Sequence, residues 1–148
     1  AVHLENLGVK NVIGMNIGGS VSIEDIKITM VKAFHSADRG SPVGYVLNIV
    51  GRTIYHAGDT DVFYDMKLIG DIYHPDIALL PISGYYTMGP EEAAYAVELL
   101  RPKIVIPMHY NTFPVIRQDP TLFLQKVKLR CPDVEVKILN PGESLKIE

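Results

Sequence analysis

Hydrophobic and polar positions alternate along the early part of the chain. Residues 21–23 alternate, and in 26–30 the apolar Ile26, Ile28 and Met30 are separated by Lys27 and Thr29. A period of two marks a half-buried strand, which continues through Val31, Lys32, Ala33 and Phe34 and is expected to end at or near His35. Ahead of it, residues 12–17 form a short, mostly apolar run closed by Gly18-Gly19, a turn signal. Small and breaker residues over 36–42 predict an exposed loop. Residues 43–50 and 53–56 then read as a hairpin turning around Gly51-Arg52.

Further along, helical and strand patterns take turns. Residues 61–69 suit a short helix, and 77–82 form an apolar run of strand length, as in a sheet covered on both faces. The clearest helix spans 90–100. Pro90 stands in its first turn and Glu91 and Glu92 suit the positive end of the dipole, while Ala93, Val97 and Leu100 share one face. A second buried strand is expected at 104–108. Asp119-Pro120 is a cap followed by a first-turn proline, opening a helix that runs to about Arg130. Strands at 134–139 and 144–147, around Pro141-Gly142, close the chain. With no repeat, low-complexity tract or linker, the pattern predicts one α/β domain.

Composition narrows the function classes. The 148 residues are 47% hydrophobic and 21% charged, enough for one domain with a real core. A formal charge of -3 leaves no electrostatic footprint for nucleic acid or an anionic membrane, so neither is expected as a partner. No apolar run approaches the roughly 18 residues of a membrane span, and no signal peptide is visible. The single cysteine, Cys131, has no internal disulfide partner, which fits a reducing cytoplasm. It reads as a half-buried thiol at a helix end. The sequence starts at Ala1 rather than methionine, and the expectation is a fragment of a longer protein.

Three predicted strands run into residues that bind metals. They lead to His35, to Gly58-Asp59-Thr60, and to His109. Adjacent strands lie about 4.8 Å apart, and ligands of open α/β sheets sit beyond strand ends, so these side chains have a route to one site. Two imidazoles and a carboxylate suit zinc, manganese or iron. Each residue also has a plainer role. A histidine after a strand satisfies local hydrogen bonds, Asp59 serves as a turn residue or cap, and His109 bonds its own loop. The spacing matches no compact zinc motif.

Four stretches carry a resemblance to a known family. They are Ala33-Phe34-His35-Ser36, His-Ala-Gly-Asp-Thr at 56–60, Thr-Met-Gly-Pro-Glu-Glu-Ala-Ala at 87–94, and Pro-Met-His-Tyr-Asn-Thr-Phe-Pro at 107–114. Over nearly the whole chain the sequence resembles the metallo-β-lactamase superfamily, and within it the metal-dependent hydrolases related to ascorbate-6-phosphate lactonase. The resemblance implies the C-terminal half of a four-layer αββα sandwich with metals at one edge. It implies that His35 is the lone histidine ligand of a first metal and that Asp59 bridges both metals as the catalytic carboxylate. His109 is then the final histidine ligand of the second metal. Two divalent ions, zinc first among them, and attack by metal-bound hydroxide on an ester, lactone, amide or phosphoester of a small-molecule substrate follow from the same resemblance.

One departure matters. The family's His-x-His-x-Asp-His motif, which supplies four further ligands, is absent, because His3, His56 and His74 stand alone. Three ligands for two ions predict weak or no metal binding by this chain alone. The expected partner is therefore the missing N-terminal segment, or a second copy in a homo-oligomer. A non-catalytic interaction or structural module derived from the same fold is the competing reading. Among the remaining residues, His56 has a supporting role behind Asp59 or a core role, Asn111 and Thr112 either orient His109 or cap the next turn, and Tyr85-Tyr86 line a cleft or pack in a core or an interface. His74 reads as an exposed loop residue and His3 as part of a disordered end.

Overall fold

The computed structural model describes residues 1–146. A seven-stranded sheet, in the spatial order β1-β2-β3-β4-β5-β6-β7, forms the frame. Strands β1 (Ser20–Ile23), β2 (Ile26–Lys32), β3 (Val43–Ile49) and β4 (Arg52–His56) are paired antiparallel. Strands β5 (Ile77–Pro81), β6 (Ile104–Met108) and β7 (Glu135–Val136) continue from β4 in parallel. Two antiparallel steps separate β2 from β4, so β2, β4, β5 and β6 all point the same way. Their C-terminal ends define one edge of the molecule, the edge on which ligands of such sheets bind.

One face of this sheet holds the core. A row of inward residues crosses it in register, with Val46 opposite Tyr55, Tyr55 opposite Ala78 and Ala78 opposite Val105, and all four are fully buried. Helices α2 (Met66–Tyr73), α3 (Pro90–Leu100) and α4 (Pro120–Arg130) contribute Met66, Ala93, Val97, Leu100, Phe123 and Val127 to the same cluster. The Asp119 carboxylate accepts from the Thr121 N–H at 2.8 Å, the expected cap of α4. At α3 the Glu92 carboxylate accepts from the Gly89 N–H at 3.1 Å. The opposite face is apolar too. Ile28, Leu47, Ile54, Ile77 and Ile104 form a cross-strand row on it, and apart from Ile77 they are only half-buried. Among the described residues no helix is long and apolar enough to cross a membrane.

Several elements differ from the sequence expectation for local reasons. The β3–β4 turn is centred on Val50 and Gly51, with φ of 48° and 75°, one residue earlier than expected. A two-residue hairpin loop with φ > 0 at both positions matches the twist of its strands, and that gain overrides the reluctance of valine. Helix α2 starts at Met66 rather than near residue 61, because Thr60 and Asp61 are engaged elsewhere: Phe34 donates to Thr60 Oγ1 and Asp61 donates to the Phe34 carbonyl, both at 2.9 Å. Residues 12–17 form no strand; this segment runs as irregular chain, with Ile13 and Met15 beside Ile28 and Leu47 of the open face. Strand β2 ends at Lys32, three residues short of His35. Strand β7 covers two residues instead of the expected 134–139. Residues 144–146 have no regular structure, and Ile147 lies outside the described residues. His3 falls in a short exposed helix, α1 (Val2–Asn6), not foreseen from the sequence. His74, with φ of 46°, ends α2. Cys131 is the half-buried residue that ends α4.

The Tyr55 hydroxyl carries a testable cost. Its side chain is fully buried, the oxygen meets no hydrogen-bond partner among the described residues, and burial pushes the phenol well above its ordinary range. An unmade buried hydrogen bond costs about 1–3 kcal/mol. Tyr55→Phe keeps the ring and removes the orphan group, so it is expected to raise unfolding stability by about 1 kcal/mol in chemical denaturation. A loss of stability instead would show that the hydroxyl is satisfied in solution.

Candidate metal centre

Asp59 and His109 meet although their strands are not neighbours. Strand β5 lies between β4 and β6, a separation of about 10 Å between backbones. The loops after β4 and β6 curl over the end of β5 and bring His109 Nε2 within 3.5 Å of Asp59 Oδ2. Two backbone devices make this approach. Gly58, at φ 66°, turns the chain directly after buried Ala57, and His109 itself takes a left-handed conformation at φ 58°. A non-glycine residue held there costs about 1–2 kcal/mol, and such residues cluster at functional sites. His109 Nδ1 is buried and has no partner among the described residues. Both side chains keep a solvent-exposed part, 30% for His109 and 49% for Asp59.

His35 sits at the same edge but apart from this pair. Its Nδ1 lies 2.8 Å from the Ser36 carbonyl. When Nδ1 carries the proton it donates to that oxygen, leaving the Nε2 lone pair available for a ligand. The His35 loop is braced to the Asp59 loop through the two bonds between residue 34 and residues 60–61. Even so, among the described residues no three His, Cys, Asp or Glu side chains are placed together to hold a metal ion. The donor set fits a metal centre in part: a carboxylate and an imidazole converge, and the third donor does not join them. That is one ligand short of what a zinc site needs.

The supporting residues act on the loops. His56 is exposed on β4 opposite Tyr45, and its Nδ1 accepts from the Gly58 N–H at 3.1 Å, bracing the turn that carries Asp59. Asn111, also left-handed at φ 63°, makes no bond to His109; its Oδ1 accepts from the Gln118 N–H at 2.9 Å and so closes the loop after β6. Thr112 is exposed and shares a shallow cleft with His109. Two further side chains have roles in this architecture that the sequence does not reveal. Thr60 is fully buried, and its hydroxyl accepts from Phe34 and donates to the Asp61 carbonyl. Gln118 Nε2 donates to the Ser83 carbonyl at 3.0 Å, tying the loop after β5 to the loop after β6. A polar residue buried between two loops leaves no periodic trace that would reveal it.

Comparison with known proteins gives the chain relatives by profile, sequence and fold. The sequence profile of the beta-lactamase superfamily domain matches residues 3–109, a span that includes His35 and Asp59 and ends on His109. A UPF0173 metal-dependent hydrolase of Caldivirga maquilingensis is 55% identical over 149 residues, covering 99% of this chain and 66% of the relative. One from Methanopyrus kandleri is 52% identical, covering 97% and 66%. The chain therefore spans just under two thirds of the length of these curated relatives. Among solved structures, a metallo hydrolase from the hyperthermophilic archaeon Ignicoccus hospitalis superposes with a TM-score of 0.91 at 44% identity, over 99% of this chain and 65% of that one. A metallo-beta-lactamase fold protein from Bacillus subtilis superposes with a TM-score of 0.76 at 14% identity, over 96% and 60%, a likeness of fold alone. By profile, sequence and fold together, this chain belongs to the metallo-β-lactamase superfamily.

Proposed function

We propose that this chain is the C-terminal part of a metal-dependent hydrolase and that it contributes His35, Asp59 and His109 to a centre completed by a further segment. The observation that carries the reading is the approach of Asp59 and His109 to 3.5 Å across an intervening strand. The names of the closely similar relatives, metal-dependent hydrolases longer than this chain, support it. Asp59 is the group that would bridge two ions, with His109 on one and His35 on the other. When bound by these residues, divalent ions would activate water and polarise an ester, lactone, amide or phosphoester. This chain's own part is positional. The Gly58 turn presents the carboxylate, the left-handed backbone at His109 presents the imidazole, and Thr60 fixes the His35 loop against both.

A second reading, a structural or interaction module without catalysis, draws on the missing third donor and on the apolar open face of the sheet. One experiment separates the two. The chain is co-expressed with the remaining N-terminal third of the Caldivirga relative, and metal content is measured by elemental analysis. Two divalent ions per complex are expected, falling below one in the His109→Ala and Asp59→Asn variants, while the chain alone retains little. A folded complex with no stoichiometric metal would end the hydrolase reading in favour of the module.

A further inference from the structure

The edge that carries Asp59 and His109 also carries three aromatic rings that belong to no core. Tyr85 and Tyr86, in the loop after β5, are 67% and 52% exposed, and Phe113, in the loop after β6, is 44% exposed. They are organised rather than scattered. The two tyrosine rings pack edge to face with centroids 4.8 Å apart, and Phe113 lies 6.2 Å from Tyr86. Exposed rings held side by side gain little for folding, because much of their apolar surface stays in water. Their loops are nevertheless fixed. Ser83 Oγ bonds the Thr87 hydroxyl at 2.8 Å and accepts the Thr87 N–H at 3.1 Å, and Gln118 bridges the Ser83 carbonyl to Asn111 on the Phe113 loop. Gly84, at φ 73°, passes so close to the Gln118 amide that a side chain there would have to displace that amide.

The two tyrosines line an open cleft with Phe34, His35, Ser36 and Asp61. No lysine or arginine lines it, and its one carboxylate, Asp61, opposes an anionic guest. Lys32, which is not among the lining residues, holds its ammonium 5.8 Å from the centres of both the Phe34 and Phe63 rings. A phosphate-bearing substrate is normally met by arginine or lysine forks, and none is offered here. A planar apolar group is met by stacking or edge contacts with preorganised rings.

We propose that Tyr85, Tyr86 and Phe113 form a recognition platform that selects uncharged substrates carrying an aromatic group beside the bond to be cut. The proposal rests on the hydrolase reading for the bond that is cut, whereas ring recognition itself needs no metal. It can be tested on this chain alone by nuclear magnetic resonance, with the tyrosine and phenylalanine rings labelled. Benzamide, acetamide and phenyl phosphate serve as probes. Benzamide is expected to give saturable shifts at Tyr85, Tyr86 and Phe113, with half-saturation at a concentration about fivefold lower than for acetamide. Phenyl phosphate is expected to bind more weakly than benzamide. The double variant Tyr85→Leu with Tyr86→Leu keeps apolar bulk on the surface and is expected to lose the preference with its far-ultraviolet spectrum unchanged. Equal response to benzamide and acetamide, tighter binding of phenyl phosphate, or shifts confined to Tyr45 on the open sheet face would each overturn the platform. The metal measurement fails or succeeds independently. A metal-free complex beside a clear benzamide preference would sink the hydrolase and leave the platform, and the reverse pattern would do the opposite.

Discussion

Phe123→Ala is expected to lower unfolding stability by about 4 kcal/mol, the largest single effect of any core truncation in α4. The helix has only two fully buried side chains, Phe123 and Val127, one turn apart on the face turned to the core. The rest of its hold is on the surface. Lys126 and Arg130 pair with Glu91, and Arg130 also with Glu98, on the neighbouring α3. Exposed ion pairs contribute little, since desolvation and side-chain ordering cancel most of the attraction and salt screens the remainder. Burial therefore wins, and losing the larger of two anchors leaves both a cavity and an unsupported helix. The measurement is urea denaturation with hydrogen exchange read residue by residue. α4 amides should lose protection before those of β5 and β6. Glu91→Gln, which breaks two ion pairs and leaves the core intact, should cost much less. If the two variants cost the same, the surface network and not the phenylalanine is what holds α4.

The helices and most strands could be read from the sequence because their signals are local. The prolines of α3 and α4 stand at the first helical residue, and Asp119 announces its cap within two residues of the bond it makes. The period of two over residues 26–30 and the apolar runs at 77–82 and 104–108 were likewise sufficient, since the side chains themselves state which faces are covered. Where the structure departs from the local pattern at α2 and at the β3–β4 turn, a distant contact takes over. The start of α2 is delayed by bonds from residues 60 and 61 to residue 34, which no window around α2 contains. The β3–β4 turn moved to Val50 because the register of two strands, and not the preference of one residue, places the corner.

The site shows the same division. That His35, Asp59 and His109 follow strands was visible, and common strand direction then places all three at one edge. That Asp59 reaches His109 while His35 stays apart was not visible, because it depends on how three loops fold over the end of β5. The motif stretches at 56–60 and 107–114 carry the family resemblance independently of any geometry. Their glycine and asparagine positions turn out to be where the loops bend: Gly58 and Asn111 both have φ > 0. These stretches hold bends of the backbone as well as the candidate donors Asp59 and His109.

Gly58→Ala tests that backbone path directly and is expected to cost about 3 kcal/mol. Two penalties add at this position. An alanine must hold φ near 66°, which costs about 1–2 kcal/mol. Its Cβ would also stand 2.5 Å from the Val43 carbonyl oxygen, and the obstacle is backbone at the start of a central strand, so it has little room to give. Forcing such a contact costs about 1–3 kcal/mol. Gly51→Ala provides the control. Its φ is 75°, but nothing lies within 4 Å of the added carbon, so it pays the conformational penalty alone. Denaturation of both variants is expected to show Gly58→Ala costing about twice as much as Gly51→Ala. The difference should appear at the site as well: in the co-expressed complex, Gly58→Ala should displace Asp59 and lower metal content, whereas Gly51→Ala should leave it unchanged. Equal costs would mean that the β4 loop relaxes away from Val43 freely, and the turn at Gly58 would then need glycine for its backbone angle alone and not for the close passage of Val43.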